Sequence, residues 1–302
     1  MGLNLSGMTT ETRNPRTMQL DQMSPLEIVT VMNEEDARVP LAIAKCLPQI
    51  AQAVTWAAES FEKGGRLFYM GAGTSGRLGV LDAAECPPTF GVPKEMVVGL
   101  IAGGEKAFIE AVEGAEDSRE LAVEDLKAHG LTADDFVVGI AASGRTPYVL
   151  GGLDYAKSVG CHTAAIACNI GSAIGKSAEL AIELNCGPEV LTGSTRLKSG
   201  TAQKLILNMI STGSMVRTGK AYQNLMVDVQ QTNEKLHTRA ENIVIDATGV
   251  EREKARAAID AAGGSVKTAI TMLLADCDAK EAARRLERAR GHVREAIRLE
   301  VL

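Results

Sequence analysis

Residues 66–76 read RLFYMGAGTSG, a short apolar run that ends in glycines and two hydroxyl side chains. An apolar run of this length is typical of a strand that is buried on both faces of a parallel sheet. Runs of the same kind follow at residues 96–102, 136–142, 163–168 and 179–184. Helical patterns separate them, and this alternation predicts an α/β fold, a three-layer αβα sandwich around a parallel sheet.

Helical patterns also surround these runs. Ser24-Pro25 with Glu27 has the form of a capped helix start. Further helices are expected over residues 39–62, 76–85, 106–130, 147–160 and 200–219.

The last part of the chain differs from the rest, because it is rich in Ala and Arg and has no strand pattern. The sequence GSVKTAI at residues 264–270 is echoed by GHVREAI at residues 291–297, which predicts a small helical module. The sequence therefore predicts N-terminal helices (1–57), a central sheet-containing domain (58–221), a connector (222–244) and a C-terminal helical module (245–302).

Composition excludes several classes of function. The net charge is −6 at pH 7 and no basic stripe is present, so nucleic-acid binding is not expected. The six cysteines form no C-x-x-C pair and have no histidine at metal-ligand spacing, which favours reduced thiols in a cytoplasmic protein without a metal. No signal peptide or membrane span is expected.

Glycine and hydroxyl residues follow three of the predicted strands. Ligands bind at the carboxyl ends of parallel strands, so these loops are expected to share one ligand. Glycines let backbone N–H groups approach, helix starts add partial positive charge, and hydroxyls donate hydrogen bonds, a combination that favours a phosphate. The residues expected to bind it are Gly73, Thr74, Ser75, Ser143, Arg145, Thr146, Ser194, Thr195 and Lys198.

The first loop also matches the dinucleotide pattern G-x-G-x-x-G between Gly71 and Gly76. That pattern needs an acidic residue at the end of the second strand, to bind a ribose hydroxyl. The nearest acid, Glu105, lies past that strand, and no Gly-Lys-Ser/Thr ends the loop. A nucleotide cofactor is therefore disfavoured.

Two carboxylates are candidates for acid–base work. Glu85 is expected to end the helix that starts at the first loop, because Cys86-Pro87-Pro88 follows at once. Glu116 falls on an apolar stripe of the helix expected over residues 106–130, where an unpaired charge would be costly. Surface or salt-bridged acids are the alternative for both. Glu113 is a rival to Glu116, Asp82 and Asp117 are nearby acids that could play a supporting role instead, and His237 is a candidate for proton transfer.

Several long runs carry a family resemblance. They are residues 67–85 (LFYMGAGTSGRLGVLDAAE) with the Cys-Pro-Pro that follows, 102–105 (AGGE), 113–119 (EGAEDSR), 142–147 (ASGRTP) and 224–237 (NLMVDVQQTNEKLH), together with residues 10–14 and 33–36. With these runs the chain resembles the N-acetylmuramic acid 6-phosphate etherase family. Its central part resembles a sugar isomerase (SIS) domain, as in the related glucokinase regulatory protein, and its tail resembles a ubiquitin-associated-type helical module.

The resemblance implies an enzyme of cell-wall sugar recycling that cleaves the D-lactyl ether of N-acetylmuramic acid 6-phosphate. It implies Glu85 as proton donor, Glu116 as the second active-site acid, a homodimer, and no metal or cofactor. In the ring-opened sugar the C1 aldehyde acidifies the C2 proton. A base removes that proton, lactate leaves C3 and water adds back, so two acids can divide the work. His237 is the candidate for ring opening.

Two other functions remain open. An aldose–ketose sugar-phosphate isomerase would share the loops and the removal of the C2 proton. A non-catalytic sugar-phosphate sensor would share the loops alone, and the presence of both Glu85 and Glu116 favours an enzyme over such a sensor.

Overall fold

The computed structural model describes residues 8–110, 112–229 and 233–299 of the chain. Residues 230–232, which belong to the run 224–237 quoted above, and residues 1–7 of the predicted N-terminal segment lie outside the described residues. The chain divides into two compact units, Met1–Ala84 with Glu95–Ser211, and Glu85–Lys94 with Thr212–Leu302.

A five-stranded parallel sheet forms the centre of the first unit, which confirms the predicted fold class. Each strand matches a predicted run to within one residue at either end. The strands are β1 (Leu67–Gly71), β2 (Val97–Ile101), β3 (Phe136–Ala141), β4 (His162–Ala167) and β5 (Leu180–Glu183). Their order in the sheet is β2-β1-β3-β4-β5, so the direction of winding reverses between β1 and β3. This reversal is the topological switch point of the sheet.

Helices surround the strands along this part of the chain. They are α1 (Pro25–Asp36), α2 (Val39–Ile43), α3 (Leu47–Glu62), α4 (Gly73–Phe90), α5 (Lys106–Ile109), α6 (Arg119–Ala128), α7 (Pro147–Val159), α8 (Ala173–Ser177) and α9 (Lys198–Arg217). β1 and β3 are buried along their whole length, as expected for strands that are covered on both faces. Phe68 and Met70 of β1 pack with Tyr148, Val149 and Leu153 of α7 in one core cluster.

The N-terminal helices follow their local signals. Ser24 and Glu27 form the predicted capping box at the start of α1. The single helix expected over residues 39–62 is wrong, because a 3-10 turn, Ala44–Cys46, separates α2 from α3. Pro48 in the first turn of α3 has no N–H to donate, so α-helical bonding restarts there.

The helix expected over residues 106–130 is also wrong. α5 ends at Ile109 and α6 begins after Ser118, whose side chain accepts a hydrogen bond from Leu121 N at 3.1 Å. Gly114 between them has φ +76°, a left-handed conformation that ends helical bonding. The apolar stripe that was to contain Glu116 does not form, and Val112 is 40% exposed.

The proline pair after Glu85 does not stop the helix, so that prediction is corrected. α4 continues through Pro87 and Pro88 to Phe90. A proline loses its own N–H bond, yet the residues after it can still donate to carbonyls one turn earlier. Gly91 N does so, to Pro87 O at 2.9 Å.

The second unit is mostly helical. It contains a short hairpin, β6 (Ala221–Tyr222) and β7 (Leu225–Met226), and the helices α10 (Glu234–Thr248), α11 (Arg252–Ala261), α12 (Val266–Ala275), α13 (Ala279–Arg288) and α14 (Val293–Ala296). Tyr222, Val227 and Ala240 of the predicted connector pack in the same core cluster as Ile270 and Val293. α10 runs across residue 245, where the helical module was expected to begin.

No helix formed by the described residues has the length and apolar character that a bilayer crossing requires.

Candidate active site

Two loops leave the sheet side by side at the switch point. Loop 1 (residues 71–76) follows β1, and loop 2 (residues 143–147) follows β3. Gly71 pairs with Ile140 in the register of the two strands, so both loops begin at the same edge of the sheet. In open α/β sheets ligands bind at such a point, outside the carboxyl ends of the strands.

Each loop leads into a helix whose first N–H groups are unpaired. In the first turn of α4, the N–H groups of Gly73, Thr74 and Ser75 donate to no acceptor within the described part of the chain. The same is true there of Tyr148 and Val149 in the first turn of α7. Unpaired N–H groups at the positive end of a helix dipole attract anions. The switch point is therefore a site suited to a phosphate.

Glycine is needed in both loops for different reasons. Gly73 has φ +52°, in the left-handed region that side chains disfavour. Gly144 has φ +73°, and a Cβ built on it would lie 2.3 Å from the Ser172 Cβ atom. Gly73 therefore supplies a backbone conformation that other residues disfavour, and Gly144 in addition lets the backbone approach Ser172 more closely than a side chain would allow.

Loop 3 (residues 192–197) leads into α9, but the start of α9 already holds a carboxylate of the chain itself. The fully buried Glu189 accepts hydrogen bonds from Lys198 N at 3.0 Å and from Ser199 N at 2.9 Å. The next N–H groups, of Gly200 and Thr201, donate to carbonyls of loop 3. The first turn of α9 is thus occupied by Glu189, and it offers a ligand none of the amides that α4 and α7 offer.

Lys198 was expected to bind phosphate, but its ammonium group faces another partner. Its side chain is fully buried, and Nζ donates to Glu35 Oε2 at 2.6 Å and to Cys186 O at 3.0 Å. Burial alone would raise the pKa of Glu35, yet hydrogen bonds from Lys198 and Arg16 outweigh it and hold that pKa below its usual value. This ion pair leaves Lys198 no exposed charge for a ligand.

Loops 1 and 3 meet at Gly200. A Cβ built there would lie 3.6 Å from Thr74 Cγ2 and 3.7 Å from Thr195 O. The hydroxyls of Thr74, Ser194 and Thr195 bond to no other group in the described ranges of the chain, so they are available to a ligand. Ser75 differs, because its hydroxyl donates to Gln203 Oε1 of α9 at 3.0 Å.

Loop 2 is tied to the N-terminal segment. Ser143 Oγ accepts a hydrogen bond from Arg145 N at 3.3 Å within the loop. Asn169, just after β4, donates to the Ser143 carbonyl at 3.3 Å and to Thr10 Oγ1 at 3.0 Å. The Arg145 guanidinium lies 3.7 Å from Met8 Sδ. Residues near the start of the chain therefore support this loop.

Glu116 lies against loop 2. It belongs to a 3-10 turn, Ala115–Asp117, and its side chain is exposed. The buried Thr146 donates its hydroxyl hydrogen to Glu116 Oε1 at 3.0 Å. Thr146 was expected to bind phosphate through that hydroxyl, but here the hydroxyl orients a carboxylate beside the phosphate site.

Glu85 and His237 belong to the second unit. Glu85 is an exposed residue of α4, and His237 is an exposed residue in the first turn of α10. That these two side chains face the loops of the first unit stays a prediction.

The rival acids have different surroundings. Asp82 is buried, which raises the pKa of its carboxyl although Asn208 donates to it at 2.6 Å and Ser211 at 3.1 Å. These bonds give Asp82 a structural role under α9. Glu113 and Asp117 are exposed. In the described ranges no three His, Cys, Asp or Glu side chains are grouped as metal ligands.

Sequence reasoning missed four residues of this site. Asn169 carried a signal, since a polar side chain directly after a strand falls at the ligand edge of a parallel sheet. Thr10 lies in the run 10–14 that carries the family resemblance, but nothing in that run indicates its contact with Asn169. Glu189 and Gln203 carried no signal, because their partners are more than eight residues away in the chain and only the fold brings them together.

Comparisons with known proteins identify the fold of the first unit. The chain matches the glucokinase regulatory protein N-terminal SIS domain over residues 49–157 and the SIS domain over residues 120–212. A solved phosphoheptose isomerase from Francisella tularensis superposes with a TM-score of 0.50 at 18% identity, over 64% of this chain and 100% of that one. The superposition shows the shared fold.

Full-length relatives are more similar. The chain is 63% identical to the N-acetylmuramic acid 6-phosphate etherase of Exiguobacterium sp., over 97% of this chain and 100% of that protein. It is 61% identical to the protein of the same name from Serratia proteamaculans, over 98% and 99% of the two chains. These matches confirm the resemblance that the sequence runs carry.

Proposed function

Since the chain belongs to the N-acetylmuramic acid 6-phosphate etherase family, we propose that it cleaves the D-lactyl ether of N-acetylmuramic acid 6-phosphate. The products are D-lactate and N-acetylglucosamine 6-phosphate, and the enzyme is a carbon–oxygen lyase of cell-wall sugar recycling.

The 6-phosphate binds at the switch point in this proposal. The unpaired N–H groups of Gly73, Thr74 and Ser75 donate to it from α4, and the start of α7 faces it from loop 2. The free hydroxyls of Thr74 and Thr195 add donors without adding charge. Lys198 contributes through its ion pair with Glu35, which fixes the start of α9.

The contact between Glu116 and Thr146 carries the catalytic part of the proposal. It holds a carboxylate at the edge of the loop that would bind the substrate's phosphate. A sugar anchored there by its 6-phosphate would extend its carbon chain past this carboxylate. Glu116 is therefore the base that removes the C2 proton or activates water.

The reaction needs no electron acceptor besides the substrate. When the base takes the C2 proton, the electrons form a C2–C3 double bond conjugated with the C1 aldehyde, and the C3–O bond breaks. The bonding pair leaves with the lactate oxygen, which takes up a proton. Water then adds its hydroxyl to C3 and a proton to C2, so one water is consumed for each lactate released.

Glu85 is the proposed donor of the proton to the lactate oxygen. An ether oxygen is a poor leaving group unless it is protonated as it departs, so the reaction needs a general acid. This role rests on the family resemblance and on the match of residues 67–85. His237 is retained as a candidate for ring opening because a histidine can transfer protons near neutral pH.

We place the enzyme in the cytoplasm as a homodimer. The described cysteines are all free thiols, five of them buried, which suits a reducing compartment. Large apolar side chains of α1 and α2 are exposed, among them Leu26 and Leu41, which suits a surface covered by a second copy.

The direct test is incubation of the purified protein with N-acetylmuramic acid 6-phosphate, followed by enzymatic detection of D-lactate. Stoichiometric D-lactate with N-acetylglucosamine 6-phosphate is expected. Isomerisation of hexose phosphates without any release of lactate would instead establish the alternative, a sugar-phosphate isomerase.

Two substitutions test the carboxylates. Glu116→Gln and Glu85→Gln are each expected to lower kcat by about 10²- to 10⁴-fold, the usual loss when a general acid or base is removed. The matched control is Glu113→Gln, an exposed acid three residues before Glu116, which should keep the wild-type kcat. Wild-type turnover by Glu116→Gln or Glu85→Gln would disprove the role of that residue.

A further inference from the structure

Gln203 is a buried polar residue with an unpaired donor. It lies in the second turn of α9 and is 1% exposed. Its Oε1 atom accepts the hydroxyl hydrogen of Ser75 at 3.0 Å. Its Nε2 atom, although buried, has no hydrogen-bond partner among the described residues. Buried amide groups are nearly always satisfied, so an unpaired one calls for a partner.

The position of this amide points to a ligand. Ser75, which holds Oε1, lies in the first turn of α4, where the N–H groups of Gly73, Thr74 and Ser75 are also unpaired in the described part of the chain. The hydrogen bond between Ser75 and Gln203 thus places the side-chain amide of α9 against the first turn of α4, where the unused N–H groups lie. The two observations are independent, because one concerns backbone amides and the other a side chain from a different helix.

Neighbouring groups do not take the same role. Lys198, on the same helix, is committed to Glu35, and the first N–H groups of α9 are committed to Glu189. The hydroxyl hydrogen of Ser75 is committed to Gln203 itself. The side chain of Gln203 is therefore the means by which α9 presents a donor to loop 1.

We propose that Gln203 Nε2 donates a hydrogen bond to a phosphate oxygen of the bound sugar phosphate, and that Ser75 acts by orienting this amide. The inference rests on the proposed function, which supplies the phosphate. A neutral amide suits a buried position, because it gives a strong bond to an anion without the cost of burying an unpaired cation.

The test measures binding apart from catalysis. Gln203→Met removes the amide at similar side-chain volume. The dissociation constant for N-acetylglucosamine 6-phosphate, measured by calorimetry, is expected to rise about 10- to 100-fold, as for a lost hydrogen bond to a charged group. The inhibition constant of inorganic phosphate in the lactate assay is expected to rise by a similar factor, because the lost contact is to the phosphate.

Gln49→Met is the matched control, since Gln49 of α3 also has a buried amide atom, Oε1, without a partner in the described ranges. That variant should bind N-acetylglucosamine 6-phosphate as the wild type does. Equal binding by Gln203→Met and the wild type would overturn the inference, and so would weaker binding of the sugar phosphate with an unchanged inhibition constant for inorganic phosphate.

A second variant, Ser75→Ala, keeps the proposal testable if Gln203→Met does not fold. Ser75→Ala removes only the hydroxyl that orients the amide, so it should weaken binding by itself and add little when it is combined with Gln203→Met. Additive losses would show that the Ser75 hydroxyl contacts the ligand directly and would contradict its positioning role. If the wild type binds the sugar phosphate but releases no lactate, the proposed function fails while the inference on Gln203 stands.

Discussion

Glu35, Glu189 and Glu116 are three carboxylates of one unit with different surroundings. Glu35 is 1% exposed and Glu189 is fully buried, and each accepts hydrogen bonds from residues at the start of α9. Glu116 is exposed and, within the described ranges, accepts a single hydrogen bond, from Thr146. The buried acids are satisfied within the protein and fix the frame of the site, whereas Glu116 keeps an oxygen free for chemistry.

The buried ion pair predicts the effect of replacing Glu35. Glu35→Gln leaves the fully buried Lys198 without its countercharge, and removal of one partner of such a pair costs about 3 to 5 kcal/mol. The free energy of unfolding at pH 7, from urea denaturation, should fall by that amount. Glu34→Gln is the matched control, because Glu34 is an exposed neighbour that also contacts Arg16, and its loss should stay below about 1 kcal/mol.

The same ion pair makes the stability of the folded chain depend on pH. The pKa of Glu35 is lowered from 4.5 in the folded chain, so its contribution to stability is complete above that pH and is lost as the pH falls through the lower folded value. The wild type should therefore lose stability more steeply than Glu35→Gln below about pH 4.5. Parallel losses for the two proteins between pH 5 and pH 3 would contradict the lowered pKa.

At the scale of elements, strands were predictable and helix ends were not. A strand buried on both faces has to be apolar, and this holds for β1 and β3 along their whole length. The other three strands are mostly apolar, although β5 is partly exposed and ends in Glu183, so all five positions followed from sequence to within one residue. Apolar spacing predicted one helix over residues 106–130, but Gly114, in a left-handed conformation, separates α5 from α6. After Glu85 the prediction was wrong in the opposite direction. Pro87 and Pro88 predicted a helix end, but α4 continues through both to Phe90.

The site also has features that sequence predicts and features that it does not. The positions of loops 1 and 2 followed from the rule that ligands bind where parallel strands end, and the structure places unpaired N–H groups there. The partners of each hydroxyl could not be predicted, because Ser75 and Thr146 bond to residues at least 30 positions away in the chain. Loop positions are a local property of sequence, whereas hydrogen-bond partners depend on the fold.

The N-terminal segment acts as a support for loop 2, and this predicts an effect on substrate binding. Thr10 is 2% exposed and accepts a hydrogen bond from Asn169, which in turn donates to the carbonyls of Ala142 and Ser143. Thr10→Val keeps the shape and removes the acceptor. The KM for N-acetylmuramic acid 6-phosphate should rise by about 3- to 10-fold with kcat nearly unchanged, because one hydrogen bond of the support is lost.

Thr12→Val is the control for this change. Thr12 is exposed, and among the described residues its hydroxyl bonds within its own turn, to Thr9 O at 2.8 Å. Its KM should equal that of the wild type. If Thr10→Val and Thr12→Val have the same KM, the N-terminal segment does not support loop 2.

At the scale of the whole molecule, exposed apolar side chains predict assembly. Leu26 and Val29, one turn apart on α1, are 73% and 58% exposed, and Leu41 of α2 is 70% exposed. Exposed large apolar side chains on neighbouring helices are typical of interfaces. Analytical ultracentrifugation should give twice the 31.9 kDa of one chain, and the double substitution Leu26→Asp with Val29→Asp should give the mass of one chain.

Another exposed apolar group of the first unit serves as the comparison. Ile109, at the end of α5, is 85% exposed and adjoins a groove of about 490 Å³ beside β2. Since one surface of each copy suffices for a closed dimer, Ile109→Asp should leave the dimer intact. If Ile109→Asp loses the dimer and the α1 variant keeps it, the interface lies at the β2 edge of the sheet and not on α1. A wild-type mass of one chain at all concentrations would show instead that both surfaces are free.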